Sequence, residues 1–134
     1  MPSITAFHHV ALQVTDLSAA ERFYAGVLGL EVTRRWPEPD GTLRSLWLAT
    51  GDGSFLALEK ARPDAVRPSE RPFRDGAAGL HLVALRIEPG ERASWEERLA
   101  GLGVEVVHRS KWTLYLRDPE GNRVGLSHHP FDAP

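Results

Sequence analysis

Apolar and polar positions alternate along residues 7–14. Valine or leucine stands at positions 10, 12 and 14, with histidine, alanine and glutamine at 9, 11 and 13 between them. A period of two residues predicts a β-strand that turns one face toward a core. Shorter runs of apolar and β-branched residues predict further strands at 30–35, 44–49 and 54–59.

A helix is predicted between the first two strands. Either Asp16 or Ser18 is suited to cap its N-terminus, and apolar side chains follow at helical spacing as far as Leu28. Gly29 suits the left-handed conformation that commonly ends a helix. The sequence Thr-Gly-Asp-Gly at 50–53 is typical of the turn in a β-hairpin.

The second half of the chain repeats the first. Residues 80–87 match 7–14 without a gap, which aligns His81 with His8 and Leu82 with His9. Two longer matches follow, 102–106 with 28–32 and 114–127 with 46–59. The order strand, helix, strand, strand, strand therefore occurs twice, and a repeat of this length determines the fold class.

We predict one α+β domain over residues 1–134, in which two βαβββ repeats form a curved mixed sheet around a cup. Repeat one spans 5–59, repeat two spans 80–129, and a polar loop at 60–79 joins them. Each sheet has one face under its helix, so the other faces are free to form a concave wall. A concave wall with a few placed polar groups is where a small molecule would bind.

Charge and composition limit the classes of binding partner that we expect. The net charge of −2 gives no reason to expect nucleic acid or an anionic membrane surface. No apolar run approaches the roughly 20 residues of a membrane helix, and the first residues lack the pattern of a signal peptide. With no cysteine there is no disulfide and no thiolate ligand. We therefore expect a cytoplasmic protein with a small-molecule partner.

Four segments carry a family resemblance: 9–17, Phe23-Tyr24, 28–30 and the Asp-Pro-Glu-Gly-Asn run at 118–122. Together they resemble the vicinal oxygen chelate superfamily, which includes glyoxalase I, extradiol dioxygenases, fosfomycin resistance enzymes, methylmalonyl-CoA epimerase and the bleomycin resistance proteins. The resemblance implies the glyoxalase-like fold and suggests a homodimer. It leaves the activity open, because one fold hosts many functions.

The same resemblance implies where a metal ion would bind. Metal-binding members take one ligand from the first strand and one from the last strand of each repeat. The corresponding positions here are His9, Ala57, Leu82 and Gly125, so one of the four has a donor. Since a catalytic divalent ion needs about three protein ligands, we expect no cofactor. A divalent metal in a rearranged site of His9, Glu59 and either His81 or His129 remains the alternative.

An inward-facing His9 sets which strand positions face the cup. By parity, eight side chains become candidate ligand-binding residues: His9, Gln13, Trp47, Phe55, Glu59, Arg86, Tyr115 and Arg123. Their mixture of aromatic and polar groups suits a flat or partly apolar organic molecule. The alternatives are packing roles for the aromatic residues and solvated or mutually paired roles for Glu59 and Arg86. By the same parity, His8 and His81 are structural, and 128–129 form a solvated tail.

Two functions follow from these expectations. The first is a small-molecule binder similar to the bleomycin resistance proteins, with a degenerate metal site. The alternative is an enzyme, either a metal-dependent glyoxalase-like lyase or ring-cleavage dioxygenase with a rearranged site, or a metal-free enzyme in which His9 or Glu59 acts as general base. A ligand-sensing subunit is a third possibility.

Overall fold

The computed structural model describes residues 1–65 and 78–134. The chain divides into two compact units, Met1–Arg67 and Pro68–Pro134, called unit one and unit two below. Most of the predicted polar loop at 60–79 lies outside the described residues. The prediction of a single domain over 1–134 stays a prediction.

Unit one has the predicted order of elements. Its strands are β1 (His9–Val14), β2 (Glu31–Pro37), β3 (Leu43–Ala49) and β4 (Phe55–Lys60), arranged in one sheet in the order β1-β4-β3-β2. Strand β1 runs parallel to β4, whereas β4 with β3 and β3 with β2 are antiparallel. For β4 to lie parallel beside β1, the chain must cross over to the far edge of the sheet after β1. The helix between β1 and β2 supplies this crossover.

The crossover helix begins as α1 (Leu17–Glu21) and continues as a π-helical segment (Arg22–Val27). The Asp16 carboxylate accepts a hydrogen bond of 2.9 Å from the Ala19 backbone N–H, so Asp16 is the N-cap. Gly29 has a φ of 78°, as a left-handed helix end requires.

Unit two repeats this topology with shorter strands. It contains β5 (Val83–Arg86), a 3₁₀ turn (Pro89–Glu91) and α2 (Arg92–Gly101). Three further strands complete its sheet: β6 (His108–Arg109), β7 (Thr113–Arg117) and β8 (Arg123–Ser127). Their order, β5-β8-β7-β6, is the order of unit one, and β5 is parallel to β8. The predicted α+β fold of two βαβββ repeats is confirmed.

The aligned segment 102–106 does not begin a strand as its counterpart does. The Gly103 and Val104 backbone N–H groups donate to the carbonyls of Ala100 and Leu99, at 3.1 and 2.9 Å. These bonds hold 102–104 against the last turn of α2, in the manner of a helix C-cap. Strand β6 therefore starts only at His108.

Each sheet has one apolar face. In unit one the buried leucines of β3 and β4 lie on it, and Phe23 and Tyr24 of the crossover helix are buried too. In unit two the buried leucines of β7 and β8 and Val124, with Leu99 of α2, are the equivalents. Burying one such side chain stabilises the fold by about 1.5–3 kcal/mol. No helix in the described part of the chain has the length and apolar character needed to cross a membrane.

The prediction of a solvated tail at 128–129 is wrong for His128, which is 2% exposed. The Arg92 guanidinium donates to His128 Nε2 at 3.1 Å, so the ring proton resides on Nδ1, which contacts the Phe131 carbonyl oxygen. Arg92 also donates to the carbonyls of Ser110 and Lys111. An arginine from α2 thus holds the start of the tail, while His129 remains exposed.

Candidate ligand-binding surface

The candidate residues of unit one lie on the sheet face opposite its apolar core. On β1 and β4, His9 lies opposite Phe55, and Gln13 lies opposite Glu59. Trp47 of β3 lies on the same face, since it stands opposite Ala57 of β4. The structure therefore brings His9, Gln13, Trp47, Phe55 and Glu59 onto one face, as the strand parity predicts.

Four rings on this face form a continuous row. The His9 and Phe55 rings are stacked with centroids 4.8 Å apart and an angle of 6°, and Phe55 stacks on Trp47 at 4.4 Å and 25°. Trp47 then contacts Trp36 at 5.4 Å, in an edge-on arrangement. We call His9, Phe55, Trp47 and Trp36 the aromatic row. It crosses all four strands of the sheet.

Trp36 and Arg34 are functional candidates that the sequence pattern does not reveal. Val32 lies opposite Leu48, yet Arg34 lies opposite Trp47, so Thr33 is an extra residue in β2. Such a β-bulge shifts the parity of the strand beyond it. Without the bulge, Thr33 would stand opposite Trp47, and both Arg34 and Trp36 would belong to the other face. The bulge therefore completes the aromatic row.

Arg34 lies over the tryptophan end of the row. Its guanidinium carbon is 5.0 Å from the Trp36 ring centroid and 5.9 Å from that of Trp47, within the range of a cation–π contact. Thr33 secures the bulge, because its hydroxyl donates to the Trp47 carbonyl at 3.2 Å. One end of the aromatic row thus carries a positive charge.

His8 lies at the other end of the row. It precedes β1, so strand parity does not govern its side chain. Its ring is 5.6 Å from the Phe55 ring, and its Nδ1 is 2.9 Å from Nδ1 of His9. One of these nitrogens must carry a proton for the pair to form a hydrogen bond. The prediction from parity that His8 lies on the opposite face from His9 is therefore wrong, and His8 instead contacts two rings of the row.

The candidates of unit two form a different surface. Tyr115 lies opposite Gly125, and its ring is 5.5 Å from that of His108. Arg123 is buried, and its guanidinium donates to Nδ1 of His81 at 2.8 Å. Arg86 is exposed on β5. This surface carries two arginines and a tyrosine where unit one carries a row of stacked rings.

The metal positions implied by the family resemblance do not form a metal site in either unit. In unit one, Ala57 is buried and supplies no donor. In unit two, a Cβ at Gly125 would lie 3.1 Å from the Thr113 methyl group and 3.4 Å from a Leu82 methyl group. The Thr113 methyl group therefore crowds the position from which a metal-binding side chain at 125 would have to extend.

The rearranged metal site is also a poor fit to the donors present. His9 lies opposite Phe55, four residues before Glu59 on β4, so about 13 Å of strand separates His9 from Glu59. The two side chains would have to extend along the sheet toward each other for one ion with ligand bonds of about 2 Å to contact both. His81 Nδ1 is engaged by Arg123. Among residues 1–65 and 78–134, no three His, Asp or Glu side chains are grouped as metal ligands.

Comparison with known proteins places the chain in a family. A model of the Glyoxalase/Bleomycin resistance protein/Dioxygenase superfamily matches residues 6–126. The chain is 30% identical over 141 aligned residues to biphenyl-2,3-diol 1,2-dioxygenase 2 of Rhodococcus globerulus, and the alignment covers all of this chain and 68% of that protein.

Two crystal structures extend the comparison. Lactoylglutathione lyase from Agrobacterium tumefaciens is 30% identical, with a TM-score of 0.70 over 96% of each chain. TnmS3, an antibiotic binding protein from Streptomyces sp. CB03234, is 25% identical, with a TM-score of 0.67 over 96% of this chain and 98% of that chain. From the matched model and these relatives, the chain belongs to the Glyoxalase/Bleomycin resistance protein/Dioxygenase superfamily.

Proposed function

We propose that this protein binds a planar organic small molecule on the aromatic row of unit one, and that binding rather than metal-dependent catalysis is its function. The observation that carries the proposal is the row itself, in which His9, Phe55 and Trp47 stack at centroid distances of 4.8 and 4.4 Å. Rings stacked in this way contact each other through their faces and turn their edges outward, and a row of ring edges suits the face of a planar molecule in the edge-to-face arrangement.

The exposure of the row supports this proposal. A core would bury such rings, yet His9 is exposed, and Phe55, Trp47 and Trp36 are only half-buried. Contiguous apolar surface that remains accessible commonly marks a site of interaction. Polar groups at its border, Gln13 and Glu59, are exposed as well. The surface therefore combines apolar area with the few polar groups that orient a ligand.

The relatives also support a binder. TnmS3 is an antibiotic binding protein, which agrees with a superfamily member that binds an organic molecule. The other relatives are a dioxygenase and a lyase, but the donors that a metal-dependent reaction needs do not converge among the described residues. For that reason we favour a binder. Arg86, Tyr115 and Arg123 remain predicted ligand-binding residues, and a homodimer in the cytoplasm remains a prediction.

Isothermal titration calorimetry with two probes of the same skeleton tests the proposal. We expect 2-naphthamide to bind the wild-type protein, and its saturated analogue, decahydronaphthalene-2-carboxamide, to bind at least about tenfold more weakly because it lacks a planar face. Trp47→Ala should weaken naphthamide binding by about tenfold. Equal affinities for the two probes, or an unchanged affinity in the variant, would count against the aromatic row.

Metal analysis of the purified protein tests the alternative. A stoichiometric amount of Ni, Zn, Mn or Fe that is lost on His9→Ala substitution would overturn the proposal in favour of a metal-dependent enzyme. We expect the same substoichiometric metal content in wild type and variant.

A further inference from the structure

We infer that the ligand of the aromatic row carries an anionic oxygen group, such as a carboxylate, and that Arg34 and the indole N–H of Trp36 bind this group. The inference rests on the proposed function, since it assigns a charge to the same ligand. It is carried by three observations: the bulge that places both residues on the face, the position of the guanidinium, and a buried N–H group.

The bulge places two hydrogen-bond donors at one end of the row. Because Thr33 is an extra residue, Arg34 stands opposite Trp47 and Trp36 stands opposite Ser45. Bulges frequently re-aim side chains beside functional sites.

Arg34 retains its capacity to bind an anion. The neighbouring Arg35, on the other side of β2, is bound by both oxygens of Glu21, at 2.6 and 3.3 Å. No carboxylate among the described residues forms an ion pair with Arg34, which instead lies over two indole rings. A guanidinium that stacks through its flat face still has N–H donors along its edge, and these match the two oxygens of a carboxylate.

Trp36 supplies a second donor. Its indole nitrogen is buried, and no residue in the described ranges accepts its hydrogen bond. A buried N–H group without an acceptor is unfavourable, and most such groups in folded proteins have a partner. Because this nitrogen has no exposed surface, a ligand oxygen would reach it only when the half-buried Trp36 side chain turns outward, and the same oxygen group would then also pair with the Arg34 guanidinium. A ligand that is flat and anionic fits the row better than one that is flat and neutral.

A pair of probes that differ in one charge tests the inference. At pH 7, 2-naphthoate is an anion, whereas 2-naphthamide has the same shape and no charge. In calorimetric titrations we expect wild-type protein to bind naphthoate about tenfold more tightly than naphthamide, because hydrogen bonds to a charged group are the stronger ones. Arg34→Gln should reduce this preference to within about twofold.

Two further variants serve as controls. Arg44→Gln removes the same charge from an exposed position on β3, and we expect it to retain the tenfold preference. Trp36→Phe keeps a ring and removes the N–H donor, and should weaken naphthoate binding by about threefold while naphthamide binding changes less. Loss of the preference in Arg44→Gln to the same extent as in Arg34→Gln would reduce the effect to net charge and overturn the inference.

The outcomes separate this inference from the proposed function. If wild-type protein binds both probes with equal affinity, the aromatic row binds planar molecules and the inference about charge is wrong. If neither probe binds, both the inference and the proposed function fail. A preference for naphthoate that survives Arg34→Gln would assign the anion to another residue and overturn the role of Arg34.

Discussion

The two units share one scaffold and differ in the chemistry of one sheet face. Position by position, Phe55 of unit one corresponds to Arg123 of unit two, His9 to Leu82, and Trp47 to Tyr115. The strand registers agree, since Trp47 stands opposite Ala57 as Tyr115 stands opposite Gly125. The repeat thus preserves the backbone hydrogen-bond pattern and the apolar core, while the opposite face is free to diverge.

The comparison separates the positions that the shared fold requires from the positions at which the two units differ. Core positions of both sheets are filled by leucine or valine with almost no exposure. On the other face, unit one has stacked rings and unit two has an arginine bonded to a histidine. Selection for a fold constrains the first set of positions, whereas a ligand would constrain the second.

The largest effects should come from the core, and they should be equal in the two units. Leu58 and Leu126 occupy equivalent positions, with exposures of 0% and 2%. We expect Leu58→Ala and Leu126→Ala each to lower the free energy of unfolding by about 3 kcal/mol, from lost burial and the cavity left behind. Urea denaturation followed by circular dichroism measures both. A difference of more than about 2 kcal/mol would argue that the units are not equivalent scaffolds.

A second matched pair of variants compares the ring-bearing face of unit one with the equivalent face of unit two. Trp47→Ala should weaken the binding of a planar probe by about tenfold, because it removes the central ring of the aromatic row. Tyr115→Ala, at the equivalent position of unit two, should weaken it by no more than about threefold. Calorimetric titration with 2-naphthamide provides both numbers. A larger effect at Tyr115 than at Trp47 would move the binding site to unit two.

A third prediction concerns the implied metal position in unit two. A Cβ at Gly125 would lie 3.1 Å from the Thr113 methyl group, so Gly125→Ala requires that group to shift. Thr113→Ser removes the methyl group and keeps the hydroxyl that donates to Ser127 at 2.9 Å. We expect Gly125→Ala to be more favourable by about 1 kcal/mol in the Thr113→Ser background, a typical coupling for residues in contact.

Thermal or urea unfolding of the four proteins in this cycle gives the coupling free energy. Additive effects within about 0.3 kcal/mol would show that the space beside Gly125 is open. In that case the absence of a metal-binding side chain at position 125 would have no steric explanation.

The smallest effect should come from the turn that joins β3 to β4. Hydrogen bonds from the Ser54 and Thr50 hydroxyls lower the pKa of the Asp52 carboxyl to about 2. Since the folded-state pKa is depressed, the contribution of this carboxylate to stability is complete above its unfolded value of about 3.9 and is lost as the pH falls toward 2.

The measurement is the urea midpoint of wild type and Asp52→Asn between pH 5 and pH 2. We expect the wild-type midpoint to fall more steeply than that of the variant over this range, since asparagine does not titrate. Parallel curves would show that the turn contributes nothing to the acid dependence.

Much of unit one could be predicted because its signals are local. The alternation along 7–14 and the gap-free repeat at 80–87 define strand parity, and parity is enough to place Trp47, Phe55 and His9 on one face. Strand parity no longer predicts which face a side chain occupies where the chain departs from a regular strand. The bulge at Thr33 moved Arg34 and Trp36 onto that face, and no residue in β2 is a characteristic signal for a bulge.

Other features depend on contacts between residues distant in sequence. His128 is buried because Arg92, which lies 36 positions earlier, donates to its ring, and a paired histidine near the chain end does not reveal this. His81 is likewise defined by its bond from Arg123, 42 positions later. Both bonds join residues more than 35 positions apart in the sequence. Long-range polar pairing of this kind has no periodic signature in the sequence.

The central claim is that unit one, through its aromatic row, binds a planar ligand. The chain has four tryptophans, of which Trp36 and Trp47 belong to the row, while Trp95 and Trp112 lie in unit two. The most direct test is the two-dimensional ¹H–¹⁵N spectrum of the four indole N–H groups, assigned by single Trp→Phe variants and recorded during titration with 2-naphthoate. We expect saturable shifts of the Trp36 and Trp47 signals, with those of Trp95 and Trp112 unmoved. Shifts confined to Trp95 or Trp112, or none at all, would contradict it.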